Sequence, residues 1–204
     1  MKPKVKPQDS GVEELFRAKL KNIINMGISR RLAKQDPSNA EWQCSRAAAH
    51  GRVGDLLQVQ GRFLEAQDEF KVDLEISERL AAQDSSNASL QRGLAKAHIR
   101  AGSLSEAQGR LGDALTEFPN CLEICRRLVA DDSNVASWQR NLAVAYSRIA
   151  KLESKAGRRT AAIELFWEAS QIYDVLAKSA PSVVKWGKER ETIHAELNLC
   201  RTMV

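Results

Sequence analysis

Apolar and polar positions alternate at helical spacing from about residue 10 to the end of the chain. In the first such stretch Phe16, Leu20, Ile24, Ile28 and Leu32 fall four apart, with Ile23 three after Leu20, which gathers them on one broad helical face. The pattern then returns at fixed pitch. Gly61, Ala66 and Phe70 recur as Gly109, Ala114 and Phe118 and again as Gly157, Ala162 and Phe166, each set forty-eight residues after the last. A repeat of that period takes precedence over any reading of single segments. Ala18 stands one period before Ala66, so the first stretch reads as half a repeat, although Asn22 takes the place of the phenylalanine.

Start and stop signals follow the same pitch. Ser10 and Glu13 have capping-box spacing, and Ser38, Ser86, Asn134 and Ser182 are N-cap residue types forty-eight apart. Glycine at 61, 109 and 157 can turn the chain without a Cβ penalty. Ten residues after Leu32, Leu80, Leu128 and Leu176 come Trp42, Leu90, Trp138 and Trp186, a column expected in the core. These signals predict eight helices and no strands, near 10–34, 39–59, 62–83, 87–107, 110–131, 135–155, 158–179 and 183–202. Short links make neighbours antiparallel, and a two-helix repeat cannot bury its apolar faces alone, so the pairs must stack into an all-α, superhelical α-solenoid. Pro119 follows Phe118 inside the helix at 110–131, where a missing amide and a crowded carbonyl predict a kink or break.

Composition changes this picture little. With 43% hydrophobic residues in 204, the chain can fold as one repeat domain over 10–204, preceded by a basic arm at 1–9 that holds Lys2, Lys4 and Lys6. A formal charge of +5 permits an acidic partner without requiring nucleic acid. No apolar signal-peptide core or membrane-length apolar run is present in the sequence, so a soluble, cytoplasmic protein is expected, with Cys44, Cys121, Cys125 and Cys200 reduced.

The motif W-x2-L-G-x2-Y followed by A-x3-F can be laid on these residues. Ala66-x3-Phe70, Ala114-x3-Phe118 and Ala162-x3-Phe166 are intact. The first half is degenerate: His50, Val53, Gly54 and Leu57, then His98, Ala101, Gly102 and Ser105, then Tyr146, Ile149, Ala150 and Glu153. Glu78, Arg126 and Asp174 occupy the place of the usual proline. Over residues 11–204 the chain resembles the tetratricopeptide-repeat superfamily in a long-helix version. The resemblance implies a right-handed superhelix and an adaptor that holds peptides or helices in a concave groove lined by the first helix of each pair.

On that helix arginine recurs: Arg52, Arg100 and Arg148 share one repeat position, and Arg92 and Arg140 share another two turns earlier. Lys96 and Lys151 extend the stripe, with Lys155 beyond, and Asp55 lies on the same candidate groove helix as Arg52. The second helices carry acids instead, such as Glu65, Asp68, Glu69, Glu75 and Glu78, so a basic concave side and an acidic convex side are expected. A planar guanidinium fork suits carboxylates, which makes an acidic peptide or protein segment the expected partner. The bland alternative is that these arginines are solvated or paired with neighbouring acids. Nucleic acid could use the same surface, but aromatics are only 5% of the chain and are committed to packing. Self-assembly through the terminal helices is the third possibility, so either a monomer or a weak homo-oligomer is expected.

His50, His98 and His194 share a repeat position with Tyr146 in the remaining copy. Stacked helices lie about 8–10 Å apart, too far for these rings to share one ion, so they are expected to pack with satisfied nitrogens. Cys121 and Cys125 lie four apart on one face with no further ligand nearby, and are read as core. P-loop, nucleophile-elbow, zincin and paired C-x-x-C patterns are absent from the sequence, so neither an enzyme, a cofactor nor a metal is expected.

Overall fold

The computed structural model describes residues 27–28 and 31–202. Helical residues 31–35 precede seven helices: α1 (Ala40–Val59), α2 (Phe63–Gln83), α3 (Ala88–Ala107), α4 (Leu111–Asp131), α5 (Ala136–Lys155), α6 (Arg159–Ser179) and α7 (Val184–Thr202). No strand occurs among the described residues. The basic arm, the Ser10–Glu13 capping box and most of the first expected helix lie outside them. Of that helix's apolar face, Ile28 is exposed and Leu32 half-buried.

The helices α1, α3, α5 and α7 each start one residue later than the column of Ser38, Ser86, Asn134 and Ser182 suggests. The N-caps of α1 and α3 are Asn39 and Asn87, whose side chains accept from the Trp42 and from the Ser89 and Leu90 amides. Ser38 and Ser86 instead donate their hydroxyls to Asp36 and Asp84, at 2.5 and 2.8 Å, closing the turn that leads in. Those bonds to serine hold both aspartates below the ordinary carboxylate range. At α5 the cap is Val135, with no side-chain bond, and Asn134 donates its backbone amide to Asp132.

The helix ends are more uniform. Gly61, Gly109 and Gly157 have φ of 74, 74 and 75°, the left-handed region that favours glycine. Around each one the glycine amide reaches back to the carbonyl three before it, and the next residue's amide reaches five back, as in Gly109 to Glu106 and Arg110 to Ser105. This pair of bonds satisfies carbonyls that the helix would otherwise leave open, the Schellman arrangement.

The chain forms two compact units, Met1–Leu80 and Ala81–Val204. In the first, α1 and α2 pack with the Phe70 ring lying where a Cβ on Gly54 would fall. In the second, helices pack in chain order from α3 to α7, with an additional α3 to α5 contact. Its core joins Phe118, Phe166, Cys121, Cys125, Leu152 and Leu176, all almost fully buried, to the small residues Ala95, Ala114, Ala143, Ala150 and Ala162. Small residues let the helices approach and the rings fill the remaining gaps.

Two expectations need correction. The residues Trp42, Leu90, Trp138 and Trp186 are half-buried and not interior, because they sit in the first turn of their helices at the margin of the stack. Of the kink or break expected at Pro119, the break does not occur: α4 runs from Leu111 to Asp131 without interruption. The proline is on an exposed face, so its ring meets no neighbouring helix.

A glutamine column just after the tryptophan column ties successive elements together. Gln43 donates to the Ala33 carbonyl and Gln91 to the Ala81 carbonyl, both at 3.1 Å, and Gln139 donates to the Ser133 carbonyl. Arg127 in turn donates to the Gln91 side-chain oxygen at 2.6 Å. Gln91 is buried, so Gln91→Leu would strand both a carbonyl and a guanidinium N–H. We expect a loss of about 1–3 kcal/mol, read from the midpoint of urea unfolding.

Candidate functional site

Four-residue spacing on α3 places Arg92, Lys96 and Arg100 along one side of the helix. The adjoining α5 presents Arg140, Arg148 and Lys151. Lys96 registers the crowding: its pKa falls below the ordinary lysine value through partial burial and the charges of Arg92, Arg100 and Arg140. Neither Arg92 nor Lys96 has an ion-pair partner among the described residues. Arg100 does interact with a neighbouring group.

The rest of the ladder is answered from within. Arg140 holds Glu189 of α7 by two hydrogen bonds, the Nε one 3.1 Å long, and the bond to Glu189 raises its pKa above the ordinary arginine value. Tyr173 of α6 lies near that carboxylate, and burial followed by the nearby negative charge pushes its phenol up. Arg148 and Lys155 both reach Glu106, each at 3.1 Å, and Lys151 reaches Glu196 at 3.1 Å. These acids come from α3 and α7, so the first helices of the pairs are not uniformly basic. Of the cations named from sequence on this unit, the structure leaves Arg92 and Lys96 as the least compensated.

Arg52 and Asp55 belong to α1 in the other compact unit. Both are exposed, and Asp55 is engaged with a neighbouring group. The acids of α2 are mixed in role: Glu65 pairs with Arg62, Glu75 with Lys71 at 3.9 Å, while Glu69 bonds the buried His50.

The histidine column is structural. His50 Nδ1 lies 2.6 Å from Glu69, His98 Nδ1 2.7 Å from Glu117, and His194 Nε2 3.1 Å from Asp174. Tyr146, the fourth member, accepts from Arg126 at 3.2 Å beneath its guanidinium. His50 departs from full satisfaction, since its buried Nε2 has no hydrogen-bond partner. Cys121 and Cys125 are fully buried with sulfurs 3.8 Å apart, and that mutual bond together with burial raises the Cys121 pKa, disfavouring a thiolate. Among the described residues no three His, Cys, Asp or Glu converge as a metal site would require, and no helix is long and apolar enough to cross a membrane.

One polar residue beside the ladder escaped the sequence reading. Asn141, next to Arg140, is only 6% exposed, and its Nδ2 has no hydrogen-bond partner. The signal was available in the repeat, because the column reads Gly93, Asn141, Glu189 at the fixed pitch.

Sequential antiparallel packing, identical glycine turns and a stack of Ala and Phe columns define an all-helical repeat protein. The crystal structure of the de novo designed helical repeat protein DHR81 is similar, with a TM-score of 0.56 at 16% identity over 92% of each chain. A second designed helical repeat protein, DHR64, gives 0.35 at 17% identity, covering 93% of this chain and 95% of that one. No protein-family model and no curated protein matches the chain. The likeness to DHR81 extends to the fold.

Proposed function

We propose that the protein is a non-catalytic interaction scaffold of tetratricopeptide-like type that binds an acidic segment of another protein along the basic side of α3. The observation that carries this reading is the pair Arg92 and Lys96, two cations one helical turn apart beside Arg100 and Arg140; no acid among the described residues answers Arg92 or Lys96. Like charges held together on a rigid helix raise the energy of the free protein, and an incoming carboxylate relieves it. The helix is ordered beforehand, so the partner bears most of the loss of freedom on binding.

Display of charge, without turnover, fits what surrounds the patch. Buried His98 is used in a packing pair with Glu117, and the paired cysteines are closed off in the core. The helix α7 exposes Lys185, Lys188, Glu191, Thr192 and Asn198 beside the apolar Val184 and Leu199.

The double substitution Arg92→Glu, Lys96→Glu is expected to weaken binding of a glutamate-rich peptide by about a hundredfold, roughly tenfold or 1.4 kcal/mol per charge reversed. Fluorescence anisotropy against rising salt is the measurement, with single-stranded RNA titrated in parallel. Unchanged peptide affinity in the double variant would remove the patch from the interface. Tight RNA binding with a steep salt slope, and none of the peptide, would replace this reading with a nucleic-acid one.

A further inference from the structure

The repeat supplies its own comparison for the basic side. In the later copy, Arg140 on α5 is answered by Glu189 on α7, with Tyr173 on α6 near the same carboxylate. Forty-eight residues earlier the same three positions read Arg92 on α3, Asn141 on α5 and Cys125 on α4. The cation persists. The acid has become a neutral amide, and the phenol near the acid has become a buried thiol. Lys96 adds a second cation where the later copy has Val144.

Asn141 also carries the mark of a missing partner, because it is 6% exposed and its Nδ2 donates to nothing. A buried amide donor without an acceptor is uncommon in folded proteins. We infer that the acid Glu189 supplies to Arg140 is missing one repeat earlier, and that Arg92, Lys96 and the Asn141 side-chain amide, once turned out of its buried position, form a subsite for one carboxylate of an acidic peptide. This rests on the basic-side reading above and narrows it to one location. The chemistry is complementary: a carboxylate has about four lone-pair sites, a guanidinium fork can take two, and an ammonium and an amide N–H can take the others. A neutral asparagine is what leaves the Arg92 charge for a ligand; a glutamate there would close the subsite from within.

That closure is the experiment. In the full chain, Asn141→Glu is expected to raise Tm by about 2–4 °C at low salt, and the rise should vanish at high salt. The same variant should bind a glutamate-rich dodecapeptide about tenfold or more weakly, whereas Asn141→Gln should keep most of the affinity. A fall in Tm, or undiminished peptide affinity in Asn141→Glu, overturns the subsite. If the double charge reversal at Arg92 and Lys96 abolishes binding while Asn141→Glu does not, the subsite alone fails and the broader reading stands. A wild-type titration with acetate, followed by the side-chain amide resonances of Asn141, judges the subsite even if no peptide binds or the variant does not fold. Movement of those resonances supports it, and their constancy while backbone signals of α3 shift overturns it.

Discussion

Replacing Gly102 with alanine is expected to destabilise the protein by about 1–3 kcal/mol, the usual range for overpacking. In an exposed helix interior the same change would stabilise by about 1 kcal/mol, since glycine is the poorer helix former. The sign reverses here because a Cβ built on Gly102 would stand 2.7 Å from the Phe118 ring. Gly54 repeats the situation more tightly, with 2.4 Å to the Phe70 ring. The third copy sets a limit on the cost. Its position is already Ala150, fully buried, and Phe166 is fully buried too, so this fold can house a methyl group and the ring together when the helices are set for it. Chemical unfolding of Gly102→Ala measures how far α3 and α4 can move toward that spacing. A gain in stability would show that the ring yields freely.

Phe166→Ala should have the largest effect of any single truncation, about 3–5 kcal/mol. Its ring is fully buried in the continuous core of residues 81–204, beside Ala162 and Ala169 on its own helix. The cavity left cannot be filled by local collapse, because the nearby small residues are alanines on helices fixed by their own glycine turns. Thermal unfolding should show a clear drop in midpoint, accompanied by higher exchange of amides in α5 and α6. A loss below about 1 kcal/mol would mean that the helices close over the gap.

The periodic skeleton was readable from sequence because each of its signals acts locally or between adjacent helices. Glycine at φ near +74° and the alanine and phenylalanine columns report contacts within one hairpin. Helix starts were displaced by one residue because serine and asparagine are both good caps, and the choice between Ser38 and Asn39 is made by Asp36. Pro119 looked disruptive because its cost was reckoned for a helix in isolation, while α4 is held on its other face by Phe118 and Cys121. The arginine column was legible, but its compensation was not. Glu106 and Glu189 reach their arginines from 42 and 49 residues away in the chain, and no local pattern announces such pairs. Asn141 was legible in principle, since the fixed pitch aligns it with Glu189. Its importance emerges only when the Arg140 to Glu189 bond is known.

The three glycine turns bear on how the molecule assembles in time. Each is closed by hydrogen bonds spanning no more than five residues, and within residues 81–204 the helices pack on their first or second neighbours along the chain. Contacts of such short sequence separation require little loop closure before they are rewarded, which favours rapid folding. Any hairpin can serve as the nucleus and its neighbours can zip on to either side. Partial unfolding should follow the same seams, with helices peeling from an end while the hairpins behind them stay closed.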